Sequence, residues 1–311
     1  MRAFRALLDR VGHPFEKGGR FEKLYPLWEA ADTFFYAPAS RTKGGAHVRD
    51  ALDLKRMMMI VVIAALPCAL MAMWNTGYQA NLALDPAKLA SLDGWRHWLI
   101  RLLGTGYSPD SLVANFVHGA LYFLPVYVVT MVVGLSWEVG FAIVRKLEVN
   151  EGFFVTGILF ALIVPPTIPL WQVAVGVSFG VIFAKELFGG TGMNFVNPAL
   201  ACRAFLFFAY PAFMSGDQVW TAALPAHSVD GFSGATLLSE WRQATEPLAL
   251  SSEAWWRAFV GIEPGSMGET SALACAIGAI ILIATGVGSW RTMAGVTLGT
   301  VLMASLFNAI G

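Results

Sequence analysis

The sequence predicts an all-α polytopic membrane protein with about seven crossings, some of them made by interrupted helices. Of its 311 residues, 56% are hydrophobic and only 14% are charged, whereas an ordinary soluble domain carries about 25% charged residues. The mean hydropathy is +0.59. Apolar stretches recur from residue 57 to the last residues, and a helix needs ~20 apolar residues to span a bilayer. No soluble fold accounts for so many stretches of that length.

A basic segment of 56 residues precedes the first apolar stretch. It holds 11 of the 21 Lys and Arg residues and is too long and too charged for a signal peptide. Its charges are mixed with aromatic residues, which is typical of an amphipathic segment at a membrane surface; docking to a partner subunit is an equal alternative. We expect a cytoplasmic amphipathic segment at 1–56 and a transmembrane helical domain at 57–311.

Seven apolar stretches follow in order. Five have the length of a span, at 57–74, 115–144, 168–184, 271–289 and 292–310. Two others are short: one begins at Gly152 and breaks at Pro165-Pro166, and one covers 197–210. Such lengths suggest interrupted helices, which are tolerated at membrane depth where they line a cavity or pack inside protein and which commonly mark a transporter's binding site. Ordinary spans with a proline kink are the alternative.

Basic residues set the expected orientation, because lysine and arginine concentrate in cytoplasmic loops. With the N-terminus in the cytoplasm, counting crossings places Arg145-Lys146, Lys185 and Arg291 inside. The loop at 211–270 then lies outside, and it carries seven acidic residues against two arginines. The last stretch ends at 310–311 without a polar tail, as expected of a sequence that is either cut off or a natural short form.

The strongest local motif lies in that outer loop. It resembles the Asp-x-x-Ser/Thr-Gly-Ala-Thr/Ser motif that flavin transferases recognise in their substrate proteins. These enzymes join the phosphate of flavin mononucleotide (FMN) to the final Thr hydroxyl. Gly234 and Ala235 leave steric room for such an enzyme, and Gly234 permits an unusual backbone angle. The alternative is a plain turn before a helix, with Ser233 or Thr236 as the N-cap. The motif reads Asp230-Gly231-Phe232-Ser233-Gly234-Ala235-Thr236.

Further motifs occur in order along the chain: Phe15-Glu16-Lys17-Gly18-Gly19, His47-Val48-Arg49-Asp50, Val149-Asn150-Glu151-Gly152-Phe153-Phe154-Val155-Thr156, Gly189-Gly190-Thr191-Gly192, Asn197-Pro198-Ala199-Leu200-Ala201 and Pro264-Gly265-Ser266-Met267-Gly268-Glu269. With them, the chain resembles the family that contains the B subunits of sodium-translocating NADH:quinone oxidoreductases and, more distantly, the D subunits of Rnf electron-transport complexes. The basic N-terminal segment favours the former. The family fold has more helices than this chain, and its glycine pair near the quinone region is here reduced to Gly134.

The resemblance implies a membrane redox subunit that carries electrons to quinone while its complex exports Na⁺. It implies FMN as a phosphoester on Thr236 and a second, non-covalent flavin, riboflavin, deeper in the membrane. Thr156, Asn194 and Asn197 are the candidates for holding riboflavin, since Asn amides can match the donor and acceptor edge of a flavin ring. Helix capping is the alternative for Asn197.

The resemblance also implies partners and a location. The partners are other subunits of a membrane complex, quinone, Na⁺ and the flavin transferase that matures the protein. NADH binds to another subunit, and no nucleic acid is expected. The location is the bacterial cytoplasmic (inner) membrane, with the N-terminus in the cytoplasm and the Thr236 loop on the far side.

One carboxylate, Glu138, falls inside the second apolar stretch, where a charged side chain costs at least ~3 kcal/mol. Arg145 follows two helical turns later, so the two residues share a face. Together with Gly134 and Glu151, Glu138 is a candidate for a quinone or ion path. A structural ion pair near the cytoplasmic boundary is the alternative.

The three cysteines, Cys68, Cys202 and Cys275, lie in apolar stretches far apart in the sequence. Without a C-x-x-C pair they do not predict a zinc or iron–sulfur site, and no other metal site or catalytic residue is predicted. A passive channel or secondary transporter is the alternative class of function. The Thr236 motif discriminates against it, because a plain transporter has no need of a flavinylation sequence.

Overall fold

The computed structural model describes residues 10–15, 19–22, 25, 28, 54–145, 152–223, 225–243 and 251–310. Within these ranges the chain is helical, without strands, and this confirms the predicted all-α polytopic membrane fold. The α-helices in order are α1 (Leu54–Ala83), α2 (Trp95–Leu103), α3 (Leu112–Arg145), α4 (Gly152–Ile163), α5 (Leu170–Phe179), α6 (Pro198–Ala209), α7 (Pro211–Met214), α8 (Leu237–Gln243), α9 (Ser252–Val260), α10 (Ala272–Ala284) and α11 (Trp290–Ile310).

Short helical turns extend or connect these helices. A π-helical turn (Gly180–Lys185) and a 3-10 turn (Glu186–Phe188) prolong α5. Other 3-10 turns lie at His13–Phe15, Pro86–Ser91 and Pro225–His227. Four helices of the described part are long and apolar enough to cross a membrane: α1, α3, α5 with its extension to Phe188, and α11. The shorter apolar helices are α4, α6 and α10.

The paired long helices α1 and α3 form the centre of the bundle. They cross where Gly77 faces Gly119: a Cβ at Gly77 would collide with the Asn115 carbonyl oxygen, and one at Gly119 with that of Met73. Small residues permit such close backbone approach between membrane helices. The buried apolar core beside this crossing includes Phe123, Val126, Phe153, Phe160, Val173, Val177 and Leu206.

The helix α1 continues well past the predicted end of the first span at residue 74. The added turns are polar but buried, and their side chains are paired. Asn75 Nδ2 donates to the Glu263 carbonyl oxygen (2.8 Å), and Asn81 Nδ2 donates to Asn115 Oδ1 (2.8 Å). Hydropathy does not detect these turns, because their burial depends on partners elsewhere in the chain.

The two short helices α4 and α6 each have 12 residues, which agrees with the expected interruptions. Their ends are satisfied inside the protein. Asn197 Oδ1 accepts from Ala199 N–H (2.9 Å) at the start of α6. At the end of α4, Gly268 N–H donates to the Leu162 carbonyl oxygen (2.8 Å). Helix ends at membrane depth require such partners.

The connections gather at two opposite ends of the bundle. At one end, called the loop end here, the described parts of the connections 84–111, 164–169 and 210–271 meet. Thr167 Oγ1 donates to the Val219 carbonyl oxygen (2.8 Å), and Leu84 forms a single β-bridge with Ser228. At the other, called the Arg145 end, the last turn of α3 meets the extension of α5 through Arg145 and Glu186. The sixth predicted span is shorter than expected, because α10 ends at Ala284 and Gly286 turns the chain with φ +72°.

Candidate functional site

The motif loop that ends at Thr236 lies at the loop end. Its first residues are fixed to the end of α1: Val229 N–H donates to the Ala83 carbonyl oxygen (2.9 Å). Lys88 Nζ donates to the Ser228 carbonyl oxygen (3.1 Å) and lies 4.0 Å from the exposed Asp230 carboxylate. The long helix α1 therefore holds the start of this loop.

The backbone of the loop turns at two glycines with positive φ, Gly231 (+81°) and Gly234 (+69°). Gly234 is the constrained one, because an added Cβ would lie 2.8 Å from the Asp217 carbonyl oxygen, whereas Gly231 faces open space. Between Gly234 and Thr236, Ala235 N–H donates to Ser233 Oγ (3.3 Å). The absence of a Cβ at Gly234 thus allows the backbone at Asp217 to pack closely against the loop.

Thr236 caps the helix α8. Its Oγ1 accepts from Ser239 N–H (3.2 Å), and Ser239 Oγ donates to Asp217 Oδ1 (2.8 Å). Thr236 is therefore the helix N-cap that the sequence offers as the alternative to flavin attachment. The two roles are compatible, because the cap uses the hydroxyl oxygen only as an acceptor. As an acceptor the oxygen keeps its own proton, and the threonine is only partly buried. The helix fixes the direction of the hydroxyl without consuming it.

A cavity of about 270 Å³ opens beside Thr236. A second, almost wholly apolar cavity of about 410 Å³ lies next to it and shares three lining residues, Leu237, Leu238 and Ala258. The first is also lined by Glu263, Pro264, Gly265, Ser266, Glu269 and Thr270. The second is also lined by Trp241, Trp255, Phe259 and Ala272. Thr236 therefore lines the first cavity, called the polar cavity here for its two glutamates, and this cavity adjoins the aromatic one.

The two carboxylates of the polar cavity are each paired with an arginine. Glu263 lies 3.4 Å from Arg257 Nε, and Glu269 lies 3.0 Å from an Arg203 guanidinium nitrogen. Burial raises the pKa of Glu263 above its usual value, and the Arg257 charge opposes that rise. These arginines partly neutralise the two carboxylates, so the cavity repels an anionic ligand less than two unpaired glutamates would.

The three riboflavin candidates lie toward the Arg145 end. Thr156 is buried on α4, and its hydroxyl points back to the Gly152 carbonyl oxygen (3.5 Å). Asn194 and Asn197 lie in the connection between α5 and α6; Asn194 Nδ2 donates to the Val196 carbonyl oxygen (3.0 Å). Contact between Gly152 and Thr191 places the start of α4 against this connection. Asn197 caps α6 through Oδ1, which leaves its amide NH₂ group outside that cap.

Glu138 forms a buried ion pair with Lys185 from the extension of α5. Both side chains are about 5% exposed or less, and Lys185 Nζ lies 5.8 Å from the ring centroid of Phe153. Gly134 lies against the same ring, with which an added Cβ would collide. Arg145, the neighbour that the helical spacing suggests, pairs instead with Glu186 (3.3 Å). Glu151 and most of the N-terminal segment lie outside the described residues.

Sequence reasoning missed several residues that shape these sites. Asp217 and Lys88 had no motif that could have found them, because they act across the fold on residues distant in sequence. Cys68 and Cys275, far apart in the chain, come within 3.7 Å of each other between α1 and α10. Within the described ranges no three His, Cys, Asp or Glu side chains are grouped as metal ligands.

Comparison with known proteins gives a family and close relatives. The NQR2, RnfD, RnfE family matches residues 41–311. The B subunit of the Na⁺-translocating NADH-quinone reductase of Stutzerimonas stutzeri (strain A1501) is 58% identical over 310 residues, which is 99% of this chain and 75% of the relative. The proteins of the same name from Ectopseudomonas mendocina (58%; 99% and 75%) and Chromohalobacter salexigens (53%; 99% and 73%) are also similar. The chain thus spans about three quarters of the length of these relatives.

Proposed function

The chain belongs to the NQR2, RnfD, RnfE family, as the sequence motifs suggested, and from this premise we propose that it is the membrane-embedded B subunit of a sodium-translocating NADH:quinone oxidoreductase. In this proposal it carries electrons through covalent FMN and riboflavin to quinone, and the complex exports Na⁺. The NADH site lies on another subunit, and a flavin transferase matures the chain. The D subunit of an Rnf complex is the neighbouring alternative within the family, but the relatives named above all carry the quinone reductase name.

One observation carries the proposal: Thr236 lines a cavity and ends a loop whose sequence matches the motif that flavin transferases recognise. In the transfer, the Thr236 oxygen loses its proton and bonds to the FMN phosphorus, while the bond between that phosphorus and the leaving group of the transferase's flavin donor breaks. The oxygen must therefore be held in place for the attack. The hydrogen bond that Ser239 N–H donates to Thr236 Oγ1 holds the oxygen and does not use the hydroxyl proton. The exposed Asp230 lies at the surface, where an enzyme can reach it.

The surroundings fit the rest of the cofactor. Ser266 and Thr270 line the cavity beside Thr236 and supply hydroxyl groups for the polar part of FMN. Trp241, Trp255 and Phe259 line the adjoining cavity, and flat aromatic side chains stack well on a planar ring. When bound, the flavin would accept and donate electrons; the protein's part is to hold its ring in an apolar place and to exclude water.

For riboflavin we propose Thr156, Asn194 and Asn197. Riboflavin has no phosphate, so hydrogen bonds and stacking must hold it, and these residues offer a hydroxyl and two amides at the Arg145 end. Thr236 lies at the loop end. Two flavins placed in this way would stand on opposite sides of the bundle, as electron transfer across a membrane requires.

We further propose that Gly134 and Glu138, with Glu151 from the sequence alone, border the quinone or ion path. The support is a charge pair at membrane depth between α3 and the extension of α5, since ionisable residues inside a membrane commonly mark ion and proton paths. The segment 1–56 is proposed to lie at the cytoplasmic face, beside the quinone entrance or against a partner subunit.

The direct experiment is flavin fluorescence of the chain in a denaturing gel, after expression in a host that has the transferase. Only a covalently bound flavin survives denaturation, so the wild-type band fluoresces in this account. Thr236→Ala and Thr236→Leu abolish the fluorescence. Thr285→Ala, a matched change of a threonine at the far end of α10, leaves it intact.

A dark wild-type band under these conditions contradicts the covalent assignment. A fluorescent band that persists in Thr236→Ala shows that another residue carries the flavin. Expression without the transferase is the second control, and it should give unmodified protein with an unchanged yield in the membrane.

A further inference from the structure

The short helix α2, in the connection between α1 and α3, has two different faces. Trp95, Trp98 and Leu102 are three and four residues apart, so they share one side, and all are about half-exposed or more (47%, 59% and 66%). The opposite side is buried, with Ile100 only 1% exposed. An exposed apolar stripe of this kind marks a surface that contacts another protein or a membrane.

The orientation of α2 is fixed by its contacts with α3. Arg96 Nε donates to the Leu121 carbonyl oxygen (3.0 Å). The Arg96 guanidinium also lies 4.7 Å from the Trp95 ring centroid and 4.4 Å from that of Tyr122. These contacts hold the Arg96 and Ile100 side against α3, so the tryptophan stripe points away from the bundle.

The length of α3 gives the depth at which α2 lies. A hydrocarbon core about 30 Å thick needs ~20 residues, so a span counted back from Arg145 ends at about Pro125. The same count forward from Arg56 along α1 ends at about Asn75, where the polar turns begin. Gly77 and Gly119 lie at the same level, because α1 and α3 cross there. Leu121 is close to this crossing and therefore lies between the two estimated ends of the span. This count places the attachment of α2 to α3 near the expected membrane–water boundary.

We propose that α2 is an interfacial helix that lies on the membrane at the loop end, with Trp95, Trp98 and Leu102 inserted among the lipids. Tryptophan is enriched at this boundary because its ring is apolar and its N–H is polar. The exposed Arg101 lies beside the stripe, as basic residues do on helices that bind anionic lipid surfaces. Trp171, at the start of α5 on the same end, is also exposed (56%) and would continue an aromatic belt.

The test is a spin-label measurement on the full chain in lipid nanodiscs that contain phosphatidylglycerol. Cys68 and Cys275 are first replaced by serine, while the buried Cys202 is kept. A nitroxide is then attached to a cysteine placed at position 98 or 102, or at the exposed controls Asp93 and Asp110. Collisions with oxygen report lipid, and collisions with a water-soluble nickel chelate report water.

In this account the ratio of oxygen to nickel collisions is several-fold higher at positions 98 and 102 than at 93 and 110. A ratio equal to that of the controls shows a water-exposed stripe and overturns the proposal. Labels that are immobilised and shielded from both reagents show that protein covers the stripe, which also overturns it. The measurement is repeated in the assembled complex. Labels shielded from both reagents there show that a partner subunit covers the stripe, and this also overturns the proposal. Position 102 gives an independent result if replacement of Trp98 disturbs folding.

Discussion

At Gly234 the absence of a single Cβ decides how the motif loop packs. The residue has φ +69°, and its α-carbon lies close to the Asp217 carbonyl oxygen. The Asp217 carboxylate in turn accepts from Ser239 Oγ, and Ser239 N–H donates to the capping oxygen, Thr236 Oγ1. Gly234, Asp217 and Ser239 together therefore hold the Thr236 hydroxyl in place.

Replacing Gly234 by alanine is expected to reduce flavin attachment. The left-handed backbone conformation costs a residue with a Cβ about 1–2 kcal/mol, and the collision with Asp217 adds to this cost. Gly231→Ala is the matched control, because it has the same backbone strain (φ +81°) in open space. Flavin fluorescence per chain in a denaturing gel measures the difference; equal content in both variants would contradict the role given to the Asp217 contact.

The buried pair of Glu138 and Lys185 predicts a large loss of stability when one partner is removed. Lys185→Met leaves a carboxylate buried without a partner, which costs about 3–5 kcal/mol, and the double variant with Glu138→Gln recovers most of it. The half-exposed pair of Arg203 and Glu269 is the control, since Arg203→Met should cost at most about 1 kcal/mol. Thermal unfolding in detergent checks both, and similar losses at the two sites would argue against the buried pair.

Among the helices, those with strong hydropathy were predictable and those with polar turns were not. The spans of α3 and α11 follow from local composition. The last turns of α1 are polar, and they become helical and buried only because Asn75 and Asn81 find partners on the 263–270 connection and on α3. The end of α10 likewise depends on a glycine turn at residue 286.

Packing of α1 against α10 can be tested by oxidative cross-linking. The sulfur atoms of Cys68 and Cys275 lie 3.7 Å apart and need a separation of about 2.05 Å to form a disulfide, so a small rotation of the side chains is enough. A membrane-permeant thiol oxidant should convert the pair to a disulfide within one chain. Maleimide–polymer labelling after denaturation should then count one free thiol, that of Cys202, instead of three.

Cys68→Ser is the control for this cross-link. In this variant the two remaining thiols, those of Cys202 and Cys275, should both be labelled, and the number of labels should be the same before and after oxidation. Three labels on the oxidised wild-type chain would show that α1 and α10 do not pack as described.

On the scale of the whole molecule, the loops gather at two ends, and the polar residues of interest divide between them. Thr236 belongs to the loop end, whereas Thr156, Asn194, Asn197 and the Glu138–Lys185 pair lie toward the Arg145 end. The sequence predicted the helix order and the motif residues because both are local patterns. It could not predict Lys185 as the partner of Glu138, or Asp217 as a support of the loop, since such pairs form only when distant helices pack.

The division into two ends predicts opposite accessibility in cells. Cysteines placed at positions 93 and 229, both at the loop end, should react with a membrane-impermeant thiol reagent added outside intact cells. A cysteine at the exposed Met193, at the Arg145 end, should react only after lysis. The reverse pattern would invert the proposed orientation.

The most direct measurement is mass spectrometry of the Thr236 peptide from protein purified from its native source. The account predicts that this peptide carries the mass of FMN bound as a phosphoester, and that fragmentation places the added mass on Thr236. A peptide found only in the unmodified form, from cells that contain the transferase, would contradict the proposal that this subunit carries electrons through a flavin on Thr236.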